Sequence, residues 1–170
     1  GSGASPFESC SLNEVERDII GALDAGEANP FEWQAGSAQD AQFSPLVEYL
    51  GEKPIVGMGE ATHGTAEFYR LKNQLFRLLV IEAGFKAIVF EIPWGNALVM
   101  NDYVLNDIGT AESVVGQTYY WTYNTQEVID LVQWMHDYNQ GLSEEEKIWF
   151  VGCDVQGPDF RTEINRLREY

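Results

Sequence analysis

IVGMGEATHGTAEFYRLKNQLFRLLVIEAGFKAIVFEI, Ile55 to Ile92, is the stretch whose reading decides the fold. Ile55 to Gly59 is a short apolar run that predicts a buried strand, and it leads into the polar turn Glu60, Ala61, Thr62, His63 and Gly64. From Thr65 to Ala83, Phe68, Leu71, Leu75, Leu78 and Leu79 recur three or four residues apart. Glu67, Arg70, Asn73, Gln74 and Arg77 fall on the other faces, so the spacing predicts an amphipathic helix. Gly84 ends it, and Lys86 to Ile92 predicts a second apolar strand with Glu91 at its C-terminal end. Strand, helix and strand in so short a stretch make a βαβ unit.

The same pattern continues outward. Pro93 breaks the strand and opens a helix with Trp94, Ala97, Leu98, Asn101, Val104 and Leu105 on one face, Asn101 being its one polar member. Asn124 or Thr125 caps the next helix, whose seam is Val128, Leu131, Val132, Met135 and Tyr138. His136 lies on the flank of that seam and reads as a surface residue. Ile148 to Gly152 predicts a third core strand running into Cys153, Asp154, Val155 and Gln156, and Pro158 to Tyr170 is helical in pattern. On the other side, Leu12 to Leu23 has helical spacing ended by Gly26, Asn29 and Pro30. Phe31 to Phe43 has no period, and Pro45 to Leu50 is a short helical candidate. Residues 1–50 are expected to form a helical and loop region packing on the core, and residues 51–170 the α/β catalytic core. Three strands separated by helices predict an α/β fold, a parallel sheet of βαβ units with flanking helices. Three strands are few for such a sheet, so the chain is expected to be part of a larger domain.

Composition sets limits. The 170 residues carry 10 basic and 27 acidic side chains, a formal net charge of −17, which argues against nucleic acid as a partner. At 45% hydrophobic the chain can bury a core. No apolar run approaches the roughly 20 residues of a membrane span, and Gly1 to Cys10 lacks the regions of a signal peptide. A cytoplasmic protein is expected, with a processed or exported form left open by the Gly-Ser-Gly start. Two cysteines, Cys10 and Cys153, are too few for a disulfide framework or a four-ligand zinc site. Cys153 sits in an apolar stretch that predicts a buried thiol. The acidic, lysine-poor surface fits adaptation to high salt or plain solubility.

In open parallel sheets, ligands bind beyond the carboxyl ends of the strands. Those ends carry Glu60, Thr62 and His63, then Glu91, then Asp154 and Gln156, and the fold gathers them on one rim, with Asp154 and Gln156 as substrate-binding positions. His63 has the one unperturbed pKa near neutrality among them, which makes it the natural proton acceptor, with Glu60 or Glu91 holding its tautomer. A nucleophilic serine is excluded, because no Gly-x-Ser-x-Gly elbow exists and no serine follows a core strand. Two histidines and two isolated cysteines leave a zinc site to be completed by carboxylates, so no metal is expected. The Gly57-Met58-Gly59 turn invites a dinucleotide, but Thr62 stands at the third glycine position and Glu60 would place negative charge beside a pyrophosphate. No organic cofactor is expected either.

GEATHGTAEFYRLKNQLF at Gly59–Phe76, FEIPWGNALVMNDYVL at Phe90–Leu105, NTQEVIDLVQWMHDYN at Asn124–Asn139 and VGCDVQ at Val151–Gln156 together resemble the erythromycin esterase family, in the family's order. The resemblance implies a metal-independent hydrolase that opens the lactone ring of macrolide antibiotics, a resistance chemistry, by attack of water on the ester carbonyl. It implies that His63 of the GE-x-THG motif is the general base and that Glu60 and Glu91 orient the histidine or the water. Glu67, Arg70 and Lys72 become rim residues that contact substrate or brace the site, and Trp94 and Asn101 line the pocket. Family members are much longer, and their second half supplies a further histidine and an arginine. The resemblance therefore implies a small-molecule ester as substrate and a C-terminal half or second chain as partner. The alternative from another class is a catalytically silent small-molecule binding or assembly domain that keeps the cleft. A metal-dependent hydrolase is the third reading.

Overall fold

The computed structural model describes residues 37–118 and 120–155 together with positions 164 and 168, both helical; of 37–41 it describes the backbone alone. The predicted helix at Leu12–Leu23, Cys10, Gln156 and most of the helical pattern from Pro158 lie outside the described residues. Contacts divide the chain into two units, Gly1–Gln42 and Phe43–Tyr170, and the architecture below is that of the second.

The described elements are α1 (Ser37–Gly51), α2 (Ala66–Ala83), β1 (Ala87–Pro93), α3 (Trp94–Asn106), α4 (Ala111–Gly116), α5 (Gln126–Asn139) and β2 (Trp149–Asp154). Strands β1 and β2 pair in parallel, Ala87 opposite Trp149 and Phe90 opposite Gly152, joined by a crossover that contains α3, α4 and α5. Beyond Phe90 the register shifts, and Pro93 next aligns with Asp154. Three steps on β1 thus face two on β2, a bulge at Glu91 and Ile92.

Helix α2 is bounded by chemistry legible in its ends. Thr65 is the N-cap, and Gly84 adopts the left-handed conformation (φ 73°) while its N–H bonds back to Val80. Two layers press on this helix. Tyr69, Phe76 and Val80 face the main core with Ile88, Phe90, Met100, Val104, Leu131, Val132 and Phe150. Leu75, Leu78 and Leu79 pack with Phe43 and Val47 of α1. Full burial of each such side chain stabilises by about 1.5–3 kcal/mol, so α1 is held by its apolar face even with Pro45 inside it. Thr125, not Asn124, caps α5 by accepting from the Val128 N–H. Helix α4 carries a Thr110–Ser113 capping box, and its six residues are too few for a period to show in the sequence.

Three expectations are corrected. Ile55–Gly59 is neither helix nor strand and is not part of the described sheet, which has two strands. Gly57 and Gly59 contribute no side chain and weaken a strand; Val56 and Met58 dock on the core while Ile55 stays exposed. Phe31–Phe43 is not all loop, since α1 begins at Ser37. Cys153 is free and exposed. Strand alternation explains this, because Phe150 and Gly152 form the buried set of β2, leaving Trp149 and Cys153 on the open face with Ala87, Val89 and Glu91.

Gly152 fixes how closely α3 approaches the sheet. A Cβ there would lie 2.7 Å from the Ile92 carbonyl oxygen and 2.8 Å from the Ala97 Cβ, so this position accepts glycine alone. No helix among the described residues is long and apolar enough to cross a membrane.

Candidate active site

The turn after Ile55–Gly59 holds the reactive side chains. His63 Nδ1 lies 2.6 Å from Glu60 Oε1, and the other carboxylate oxygen accepts from Lys72 Nζ at 2.5 Å. Glu60 is thus clamped between two cationic or potentially cationic groups. Its side chain is 10% exposed and that of Lys72 17%, whereas His63 is 61% exposed. Burial works to raise the Glu60 pKa, but hydrogen bonds from Lys72 and His63, together with their charges, outweigh it and hold the carboxyl below its ordinary value. Glu60 is therefore an anion at neutral pH. Because Glu60 can only accept, the Nδ1 of His63 is the donor in this contact.

Local geometry sets the turn. Gly64 adopts φ 75°, a conformation that disfavours any side chain, and a Cβ there would lie 3.0 Å from the Trp121 ring. The Thr62 and Thr65 hydroxyls are hydrogen-bonded at 2.5 Å, tying the turn to the N-cap of α2. Lys72, two turns further along that helix, then reaches back to Glu60.

A cavity of about 840 Å³ opens beside this turn, between residues 53–60 and residues 84–91, with Glu60, His63, Tyr69, Lys72, Glu91 and Tyr123 in its wall. The two tyrosines are buried, and their rings meet edge to face at 6.4 Å. Lys72 Nζ stands 5.4 Å from the centre of the Tyr69 ring, and the Tyr69 hydroxyl, fully buried, has no hydrogen-bond partner among the described residues. Burial, then the charge of Glu60 and the neighbouring Tyr123, push the Tyr69 pKa far up. Burial, then the charges of Glu91, Glu60, Asp154 and Cys153, push Tyr123 up to about 12. Both phenols stay neutral donors across the physiological range.

The structure brings His63, Glu60, Glu91 and Lys72 of the predicted residues to one cavity. Asp154 lies close enough to raise Tyr123, and its carboxylate accepts from the Val155 N–H. The remaining residues are placed elsewhere. Arg70 pairs with Glu127 at 3.0 Å and joins α2 to α5, and Glu67 is exposed. Trp94 is not in the cavity wall, and Asn101 is buried, its Oδ1 accepting from the Phe150 N–H at 3.0 Å. Asn101 is thus a bolt between α3 and β2 and not a pocket residue, since a polar side chain facing a strand backbone satisfies that backbone first. Gln156 lies outside the described residues. His136 is not a bare surface residue, being stacked on Tyr103 at 4.5 Å and paired with Asp107 and Asp137. Sequence reasoning missed Tyr69, Tyr123 and Trp121. Among the described residues no group of three or more histidine, cysteine or acidic side chains could hold a metal ion.

Fold and site together define an α/β protein with a histidine–carboxylate pair in a polar turn at the wall of a cavity. The model of the erythromycin esterase family matches residues 80–170, more than half of the chain, and the chain belongs to that family. It is 28% identical over 113 residues to the Escherichia coli erythromycin esterase type II, covering 66% of this chain and 26% of that protein. Over 131 residues it is 28% identical to YbfO of Bacillus subtilis (strain 168), covering 76% of this chain and 27% of that one. The crystal structure of a succinoglycan biosynthesis protein superimposes with a TM-score of 0.72 at 31% identity, over 94% of this chain and 39% of the other. The chain thus spans about a quarter of the length of the curated relatives it matches. Family membership points to a hydrolase.

Proposed function

We propose that this chain carries the base of a carboxylic-ester hydrolase that opens a macrolactone or a related ester with activated water, using neither metal nor organic cofactor. The observation that carries the reading is the 2.6 Å contact of Glu60 with Nδ1 of His63 at the wall of the cavity. The ionised Glu60 fixes the tautomer that leaves Nε2 basic, and it stabilises the imidazolium that forms when Nε2 takes a proton from water. Lys72 keeps the second carboxylate oxygen engaged, so Glu60 orients and does not compete for the proton. The water oxygen attacks the ester carbonyl carbon. The carbonyl π pair moves to its oxygen, and as the tetrahedral intermediate collapses the C–O bond to the alcohol breaks. The proton on Nε2 passes to that leaving oxygen. Glu91, in the same wall, orients the attacking water.

The test is incubation of the chain, and separately of its longest encoded parent, with a macrolactone antibiotic, followed by mass spectrometry for the gain of one water. Turnover is expected to vanish in His63→Ala with the fold intact and to be unchanged by a chelator. Near-normal turnover in that variant overturns the mechanism. Saturable binding that never yields opened product favours a silent binding domain instead.

A further inference from the structure

The C-terminal ends of α3 and α5 meet at His136, outside the cavity wall. Unpaired carbonyls give both helix ends partial negative charge, and Asp107 after α3 and Asp137 in the last turn of α5 add two carboxylates. The His136 side chain is 13% exposed and lies flat on the Tyr103 ring of α3, with ring centres 4.5 Å apart and planes 9° from parallel. Both of its ring nitrogens meet polar atoms. Nδ1 is 3.1 Å from Asp137 Oδ1, and because a carboxylate only accepts, Nδ1 is the donor there. Nε2 has two neighbours of opposite demand, Asp107 Oδ1 at 3.0 Å and the Gln140 side-chain nitrogen at 3.1 Å. The same Gln140 nitrogen lies 3.3 Å from the His136 carbonyl oxygen, which also only accepts, and this fixes the amide with its nitrogen toward the ring. A carboxylate needs a hydrogen on Nε2, whereas an amide N–H needs a lone pair there. The two contacts therefore cannot both be hydrogen bonds in one protonation state.

We propose that His136 is a proton-operated latch between α3 and α5. With a proton on Nε2 the imidazolium holds Asp107; without it, Nε2 accepts from Gln140 on its own helix and releases the end of α3. The latch goes beyond the ester-hydrolase reading and does not depend on it. The charged state gains the Asp107 contact, the negative ends of two helices and a cation stacked on the Tyr103 ring. Of the other charges nearby, Glu112 of α4 acts on the Tyr103 phenol together with Asp137 and Asp107, and Lys147 is held by the Leu105 carbonyl and by Glu144. Release has a structural consequence at Asp107. It is the one non-glycine with positive φ among the described residues, at 59°, and its N–H closes α3 on the Tyr103 carbonyl at 3.1 Å.

The test follows the full chain, and its longest encoded parent, by hydrogen–deuterium exchange at about pH 5 and about pH 8, the range over which histidine changes charge, with rates corrected for the intrinsic effect of pH. The imidazolium is the holding state, so protection at the end of α3 is present at the acid value and lost as pH rises. Asp107 is 75% exposed, which screens the pair and keeps the change modest. Peptides containing Tyr103–Asp107 should be about three- to tenfold more protected at the acid value, with α2 as the internal reference. Asp107→Asn keeps a residue that tolerates positive φ but removes the charge, and it should abolish the difference. Gln140→Ala removes the competing donor and should carry the protection to higher pH. Both positions are exposed, so both variants should keep the fold. The chain has two histidines, so nuclear magnetic resonance of isotope-labelled histidine, assigned with His63→Ala, shows the state of His136 Nε2 at each pH.

Equal protection at both pH values while the His136 ring changes state overturns the latch, and so does a ring that keeps one state throughout. A pH difference that survives unchanged in Asp107→Asn overturns Asp107 as the group released. Loss of the difference in Asp107→Asn, together with its extension in Gln140→Ala, is a pattern that a merely structural histidine does not give.

Discussion

Replacing Lys72 with methionine separates the electrostatic role of the lysine from its packing. The Lys72 ammonium holds Glu60 Oε2 at 2.5 Å with both side chains largely enclosed, and it stands over the Tyr69 ring. A hydrogen bond to a charged group is worth about 1.5–3 kcal/mol, and the cation over the ring adds about 0.5–1 kcal/mol. Methionine keeps most of the apolar stem, so Lys72→Met should lose about 2–3 kcal/mol near neutral pH. With a urea slope of roughly 2 kcal/mol per molar for a domain of this size, the midpoint moves by about 1 M.

The pH dependence carries a sign. In the wild-type chain Glu60 is held below its ordinary value of 4.5, so its contribution is present above that pH and fades as pH falls through the lower folded value. In the variant, burial still raises the carboxyl pKa and His63 alone opposes it. The pKa therefore moves upward, and protonation removes less. The gap between wild type and variant should close as pH drops through and below 4.5. Urea unfolding followed by tryptophan fluorescence, at neutral pH and at a series of pH values running through and below 4.5, measures it. A gap that stays constant across that range would show that Lys72 acts through its aliphatic stem, and the clamp on Glu60 would have to be abandoned.

Two further substitutions test the frame around the site. Asn139 is buried at the end of α5 and donates to the Val104 and Ile148 carbonyls at 3.2 and 2.9 Å while accepting from the Ile148 N–H at 2.8 Å. Asn139→Leu fills the space but strands those backbone groups. A loss of about 3–5 kcal/mol is expected, visible as a fall in Tm of roughly 10 °C, and melting within a couple of degrees of wild type would contradict it. Gly64→Ala forces a side chain into φ 75° against the Trp121 ring. It should cost about 1–2 kcal/mol and lower ester turnover with a shift in tryptophan emission; an unchanged spectrum would mean that the turn relaxes freely.

Periodicity reads one buried face per helix, and the outcomes follow from that. For α5, which has one seam, the expected Val128, Leu131, Val132 and Met135 are buried and Tyr138 is half-buried. For α2, pressed from two sides, the spacing selects the Leu75, Leu78 and Leu79 stripe that meets α1. It passes over Tyr69, Asn73 and Phe76, which meet the main core and α5. Asn101 looks chemical because it is polar in an apolar stripe, yet its partner is a strand amide 49 positions away, which no local pattern contains. Ile55–Gly59 has the composition of a strand, but pairing is a property of two segments, and the glycines leave only Val56 and Met58 to anchor it.

The site divides along the same line. Glu60 and His63 are three positions apart on one turn, so their contact depends on local backbone geometry: the positive φ of Gly64 and the Thr62–Thr65 hydrogen bond at the start of α2. A histidine–carboxylate pair set in this way does not require the preceding segment to be paired in the sheet, and the pair is intact here although Ile55–Gly59 is not a strand. Lys72 reinforces it from α2, tying the turn to the helix. Tyr123 and Glu91 reach the same cavity from the start of α5 and from the bulge that ends β1. Their arrival depends on the register of β1 with β2 and on the crossover between them, which is tertiary information. The histidine–carboxylate contact is therefore legible in five consecutive residues, whereas the cavity wall that faces it exists only in the folded chain.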